Sequence, residues 1–213
     1  MKGAESVTAV LCPRMSTASS AALPRRTVLA DAIPGALARD IALVIGGAAF
    51  MALMAQVTIR MPGELVPITG QTLAVGLIGA TLGSRRGVSA MGLYAIAGLF
   101  LPVYADGGSG WDVIWGASGG YIVGFILATY VIGLLAERGA DRKVLAAFGA
   151  FVAAQLIVFG IGVPWLKVSA DLSWGDAIHS GFTIFILGGL IKAAIGAAVL
   201  PSAWTLVRKA DKR

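Results

Sequence analysis

Charged side chains are scarce in this sequence of 213 residues: Asp, Glu, Lys and Arg make up 13% of it, where a soluble domain carries about 25%. Thiols and imidazoles are scarcer still, with Cys12 the single cysteine and His179 the single histidine. That excludes an internal disulfide and any zinc set of His and Cys, so neither a metal site nor a cofactor is expected. His179 reads as an interfacial histidine. No Walker A lysine motif, His-Glu-x-x-His or nucleophile elbow is present, and no cluster of acids falls inside an apolar run. The chain is therefore not expected to be an enzyme or to hydrolyse ATP. Energy for any uptake would come from another subunit or from the ligand's own gradient.

What fills the sequence instead is apolar: 57% hydrophobic residues and 29 glycines, with a mean hydropathy of +0.84. This is the composition of an all-α integral membrane protein. Six charge-poor segments are long enough to be crossings: Ile41 to Ile59, Leu65 to Ser84, Gly87 to Ala105, Val113 to Ala136, Val144 to Leu166 and Ser180 to Val207. The net charge of +6 does not mark a nucleic-acid surface, because the basic residues lie between these segments without interleaved aromatics. On a six-helix topology 14 of the 17 fall on one side, and only Arg60 and Lys167 fall on the other with Glu64, Asp106, Asp112, Asp171 and Asp176. The positive-inside rule then predicts a multi-pass plasma-membrane protein with both termini cytoplasmic. Residues 1–36, rich in Ala, Ser and Arg with Pro13, Pro24 and Pro34, read as a disordered cytoplasmic extension, with Met15 an alternative start, and residues 37–213 as the six-helix membrane domain.

Two connections on the acidic side are irregular. Leu65 to Gly70 contains Pro67 and Gly70 and reads as looped chain before a short helix, and Leu101 to Ala117 contains Pro102 and the run Asp-Gly-Gly-Ser-Gly from Asp106 to Gly110. Non-helical chain at membrane depth is tolerated where it is buried or lines a cavity, so the two together are expected to roof a pocket. Lys192, the remaining basic residue, lies within the last span with Gly188, Gly189 and Gly196 at i−4, i−3 and i+4. A cation there is a candidate ligand contact, the alternative being a structural lysine bonded to backbone carbonyls. Gly116, Gly120 and Gly124 have the spacing of a close helix contact, while Ser118 to Tyr121 also read as a helix start able to receive an anion. Ala48 and Ala52 form a small-xxx-small pair on the first span, a candidate partner surface. Trp111 and Trp115 flank the Gly-rich loop as interface anchors or pocket lining, and Asp40 and Glu137 read as solvated span ends.

The stretch from Val66 to Thr72 (Val-Pro-Ile-Thr-Gly-Gln-Thr), with Leu82 to Gly87 (Leu-Gly-Ser-Arg-Arg-Gly), resembles the BioY family, the biotin-binding S components of energy-coupling factor transporters. Gly98 to Val103, Gly107 to Gly110, Gly116 to Phe125 and Phe185 to Lys192 continue the resemblance in order, and it extends from about Arg39 to Val207. It implies six membrane helices, a biotin pocket near the outer surface capped by the first loop, and docking on a transmembrane coupling protein with two ATPase subunits. It assigns Gln71, Gly108, Ser109, Gly120, Tyr121 and Lys192 to the ligand and Ala48 and Ala52 to docking. Members that resemble this chain read Pro-Gly-Asp where Leu187, Gly188 and Gly189 stand here, so the acidic neighbour of Lys192 is missing. The competing expectations are an S component for a different small molecule and a structural or assembly membrane protein without a ligand.

Overall fold

Six helical crossings run through the computed structural model, which describes residues 27–33, 37–60 and 65–210. Helix α1 (Leu37–Gln56) leads into an antiparallel ribbon in which β1 (Thr58–Ile59) pairs with β2 (Ile68–Thr69). Helix α2 (Gln71–Ala97) follows, then a short α3 (Trp111–Trp115), α4 (Gly119–Glu137), α5 (Val144–Ser169), a short α6 (Trp174–Gly181) and α7 (Ile186–Ala210). Of these, α1, α4, α5 and the α6–α7 region are long and apolar enough to cross a membrane.

The remaining two crossings are the arms of α2. Gly83 sits at φ 85°, ψ 178°, which reverses the chain, so Gln71 hydrogen-bonds Tyr94 at the other end of the hairpin. In a straight helix those residues would lie about 35 Å apart. A side chain at Gly83 would be strained at that φ, and the turn is wedged tightly: a Cβ on Gly133 of α4 would lie 2.5 Å from the Ser84 nitrogen. Glu137, expected to be a solvated span end, instead accepts from both the Ser84 N–H and its hydroxyl at 2.7 Å. Its carboxylate caps the first turn of the second arm.

Gln71 to Leu82 and Ser84 to Ala97 are about 18 and 21 Å long, well short of a hydrocarbon core of about 30 Å. The hairpin is the centre of the bundle, packed between α1 and α4, with α5 against α4 and α7. Its shortness leaves the end away from Gly83 hollow, and the ribbon and the chain from Gly98 to Ser118 cover that end. Glycines let the helices close elsewhere: the Phe151 ring lies where a Cβ on either Gly76 or Gly196 would come within 2.2 Å of it.

Several expected boundaries shift, among them the start of the fourth crossing, which the break at Gly116–Ser118 moves from Val113 to Gly119. Helix α1 starts at Leu37 rather than Ile41 and ends at Gln56, because Arg39 and Asp40, which a charge criterion excludes, form an ion pair at 2.8 Å within its first turn. The third crossing ends at Ala97, not Ala105. The last span does not start at Ser180: the helix breaks at Phe182 and restarts at Ile186. Lys192 is therefore about 9 Å along α7 from its start, near one end of the bundle.

The expected extension, residues 1–36, lies outside the described residues except for 27–33. There Leu29–Ala32 form a 3-10 turn with Val28 and Ala30 buried. Arg86 ties this turn to α1, bonding Asp31 at 2.9 Å and Asp40 at 3.2 Å. Burial alone would raise the Asp31 carboxyl, but hydrogen bonds from Arg86, Thr27 and Val28 outweigh it and bring it down to about 2 from 3.8.

Gly83→Ala should lower stability by about 1–3 kcal/mol in thermal unfolding of the purified protein, through strain at positive φ. Gly92→Ala, a helical site with nothing within 4 Å of the new methyl, should not. Because the folded-state pKa of Asp31 lies below its unfolded value, its contribution is present above pH 3.8 and lost as pH falls towards about 2. Unfolding curves of Asp31→Asn and wild type should converge across that window and separate above it.

Candidate functional site

A cavity of about 240 Å³ occupies the hollow beyond the hairpin arms. One wall is polar and is built from three crossings and the ribbon. Lys192 Nζ donates to the Thr69 carbonyl at 2.5 Å and to Thr72 Oγ1 at 3.2 Å. The Thr69 hydroxyl donates to Gln71 Oε1 at 3.0 Å, and Gln71 Nε2 donates to the Tyr94 hydroxyl at 2.9 Å. Lys192 thus joins α7 to the chain that enters the hairpin, and Gln71 joins the two arms. Pro67 and Gly70 keep this entry out of helix, which leaves the Thr69 carbonyl free to accept from the ammonium.

The facing wall is aromatic. Tyr121, Phe159 and Phe185 line it, with ring centroids 6.4 Å apart for Tyr121–Phe159 and 5.7 Å for Phe159–Phe185. Tyr121 is held by a hydrogen bond to the Gly181 carbonyl at 3.0 Å and lies against Gly162, where a Cβ would meet the ring at 2.5 Å. Arg60 and Asp106 lie at the rim, paired at 2.7 Å, and Thr58 donates to Asp106 at 2.7 Å. The Arg60 side chain is 72% exposed. Gln56 adds a second clasp, donating to the Tyr104 carbonyl at 2.9 Å and accepting from the Gly107 N–H at 3.0 Å. The ribbon and the Gly-rich connection are thus fastened together over the pocket.

Of the residues singled out from sequence, Gln71, Tyr121 and Lys192 come together on the cavity. Gly108 and Ser109 do not line it: the Gly108 carbonyl accepts from Tyr104 N–H within the loop, and Ser109 is exposed. The loop reaches the cavity through Ala105, Asp106, Asp112 and Val113. Gly120 lies beneath Trp165, whose Cβ would be 2.2 Å from a side chain there, and Gly124 abuts Val158 of α5. Gly120 and Gly124 are thus a packing face, whereas Gly116 ends α3 and lines the cavity, and the amides of Tyr121 and Ile122 are taken by the Ser118 carbonyl. Trp111 and Trp115 are exposed, with Trp115 stacked on Trp165 at 5.9 Å. Ala48 is buried against the core and Ala52 half-buried, while Ala42, Gly46 and Ala49 are the small residues on the outward face of α1.

Thr69, Thr72, Tyr94, Phe159, Phe185 and Arg60 are cavity residues that the sequence did not single out. The threonines lie in the stretch from Val66 to Thr72, where the resemblance was a usable signal. Nothing in the local pattern separates Phe159 from a lipid-facing residue such as the exposed Phe100. Gln155 is a further omission. Its Oε1 stands 2.1 Å from where a Cβ on Gly189 would be, and its Nε2 donates to the Gly189 carbonyl at 3.0 Å. The space left by the absent acidic side chain is filled from α5.

A bundle of six crossings holding a cavity with one polar and one aromatic wall defines a multi-pass membrane protein built to hold a small molecule. A family model described as the BioY family matches residues 17–209. Biotin transporter BioY2 of Lactococcus lactis is 35% identical over 160 residues, covering 73% of this chain and 85% of that one. Biotin transporter BioY of Thermotoga maritima is 37% identical over 143 residues, covering 66% and 82%. The solved S-component for biotin from an ECF-type ABC transporter has the same fold, with a TM-score of 0.70 at 22% identity over 83% of this chain and 92% of that one. The chain belongs to the BioY family.

Tyr94→Phe removes the acceptor for a buried Gln71 amide and should cost about 1–3 kcal/mol in thermal unfolding. Adding Gln71→Leu, which removes the stranded donor as well, should recover part of that loss.

Proposed function

We propose that this protein is the biotin-binding membrane subunit of a vitamin-uptake system, driven by a separate ATP-hydrolysing module. The observation that carries the reading is the two-sided cavity in a member of the BioY family. Biotin has a fused ring system with apolar faces, a neutral cyclic urea and a carboxylate tail. Tyr121, Phe159 and Phe185 offer the rings a rigid apolar surface, and Lys192, Thr72 and Gln71 offer hydrogen bonds opposite. Lys192 serves the urea carbonyl, and the carboxylate lies towards the rim, where Arg60 is the cation.

In this reading the cavity end faces outward and both termini are cytoplasmic. Arg85, Arg86, Arg138, Arg142 and Lys143 gather at the end with the Gly83 turn, whereas Arg60, Asp106 and Asp112 lie at the cavity end, which is the asymmetry the positive-inside rule requires. Docking on a transmembrane coupling protein with two ATPases would use the outward face of α1. There Ala42, Gly46 and Ala49 permit close helix approach, with Ala52 at its edge, and nothing lies within 4 Å of a Cβ on Gly46.

Biotin at about 100 times its dissociation constant should stabilise the purified protein by about 2.7 kcal/mol, visible as a raised melting temperature. Lys192→Ala should bind at least about tenfold more weakly while remaining folded. The absence of any shift with wild type at large biotin excess would overturn the reading.

A further inference from the structure

Gln155 is a buried polar side chain that the cavity network does not use. It is 8% exposed, and its Nε2–H···O=C bond to Gly189 is its single hydrogen bond among the described residues. Its Oε1 and its second N–H have no protein partner among the described residues, and Oε1 is not sealed from the space around it, so a ligand that satisfies both would be favoured there. The side chain reaches this position because residue 189 has no Cβ to occupy it.

The residues around this amide line the cavity, although Gln155 and Gly189 are not themselves among its lining residues. Phe159 lies one turn further along α5, Phe185 four residues before Gly189 in the 3-10 turn that precedes α7, and Lys192 three residues after Gly189, and all three line the pocket. The amide stands at the base of the Phe159–Phe185 wall, on the turn that carries the lysine. A ligand group satisfying both unused atoms must present a donor beside an acceptor and carry no charge. A cyclic urea does so: one N–H meets Oε1, and its carbonyl accepts the second N–H of Nε2.

We propose that Gln155 is a specificity-determining residue of the site, pairing reciprocally with the ligand's cyclic urea while Lys192 donates to the same carbonyl. This rests on the biotin reading above. Two consequences distinguish it from a packing role. The pairing tolerates any ligand that keeps the urea, and it disfavours the cyclic guanidinium of 2-iminobiotin, whose charge neither a neutral amide nor an adjacent ammonium welcomes. An acid at the same position would reverse that preference.

The test measures binding of biotin, desthiobiotin and 2-iminobiotin at neutral pH to wild type, Gln155→Leu and Gln155→Glu. Gln155→Leu should weaken biotin and desthiobiotin equally, by about tenfold or more, with the ligand-free melting temperature little changed. Gln155→Glu, close in shape, should raise the affinity for 2-iminobiotin relative to biotin by about tenfold or more. Gly189→Ala, whose methyl displaces the amide, should reproduce the loss seen in Gln155→Leu. Unchanged biotin affinity in Gln155→Leu, or an unchanged 2-iminobiotin preference in Gln155→Glu, overturns this assignment and leaves the biotin reading standing. Failure of wild type to bind biotin overturns both.

Discussion

The reversal at Gly83 is the constraint from which the rest of the molecule follows. A backbone with φ 85° folds the 27 residues of α2 into two arms, neither long enough to cross a bilayer alone. Short arms leave one end of the bundle hollow, and a hollow at membrane depth must be covered by chain whose polar groups are satisfied. The ribbon, the Gly-rich connection and the Lys192–Thr69 and Gln71–Tyr94 hydrogen bonds meet that requirement. The same groups become the polar wall of the cavity, so the site and the solution to a folding problem share their atoms.

In lipid the hydrophobic effect does little to bring helices together, and packing has to do so. The bundle manages this by seating aromatics on glycines. Phe151 is held between Gly76 and Gly196, Tyr121 against Gly162, Trp165 over Gly120 and Tyr104 against Gly98. Rings fixed in this way lose little further freedom when a ligand meets them, which is why an aromatic wall assembled by packing is also a prepared binding surface. Gly189 and Gln155 follow the same logic with an amide in place of a ring.

Much of this was legible in the sequence, and what was not has physical causes. Charge is costly inside a bilayer, so the positions of Arg85, Arg86, Arg138 and Arg142 marked the ends of crossings reliably, and Pro67 and Gly70 marked the non-helical entry to the hairpin. Lys192 stood out for the same electrostatic reason. Hydropathy does not register where a helix breaks among apolar residues, so a span expected from Ser180 hides the restart at Ile186 that brings Lys192 close to the start of its helix. Pairings across the bundle were equally silent: Ser84 with Glu137 and Gly189 with Gln155 are separated by 53 and 34 residues and depend on which helices become neighbours. The resemblance points to Gly108 and Ser109 through their loop, but the loop turns other residues to the cavity.

The central claim is that the space between the Tyr121–Phe159–Phe185 wall and the Gln71–Thr72–Lys192 wall is the biotin site. A crystal structure of the protein grown with biotin tests it most directly. The ring system should lie between those walls, with the urea carbonyl within hydrogen-bond reach of Lys192 Nζ. Biotin bound elsewhere on the molecule, with this cavity empty, would contradict it.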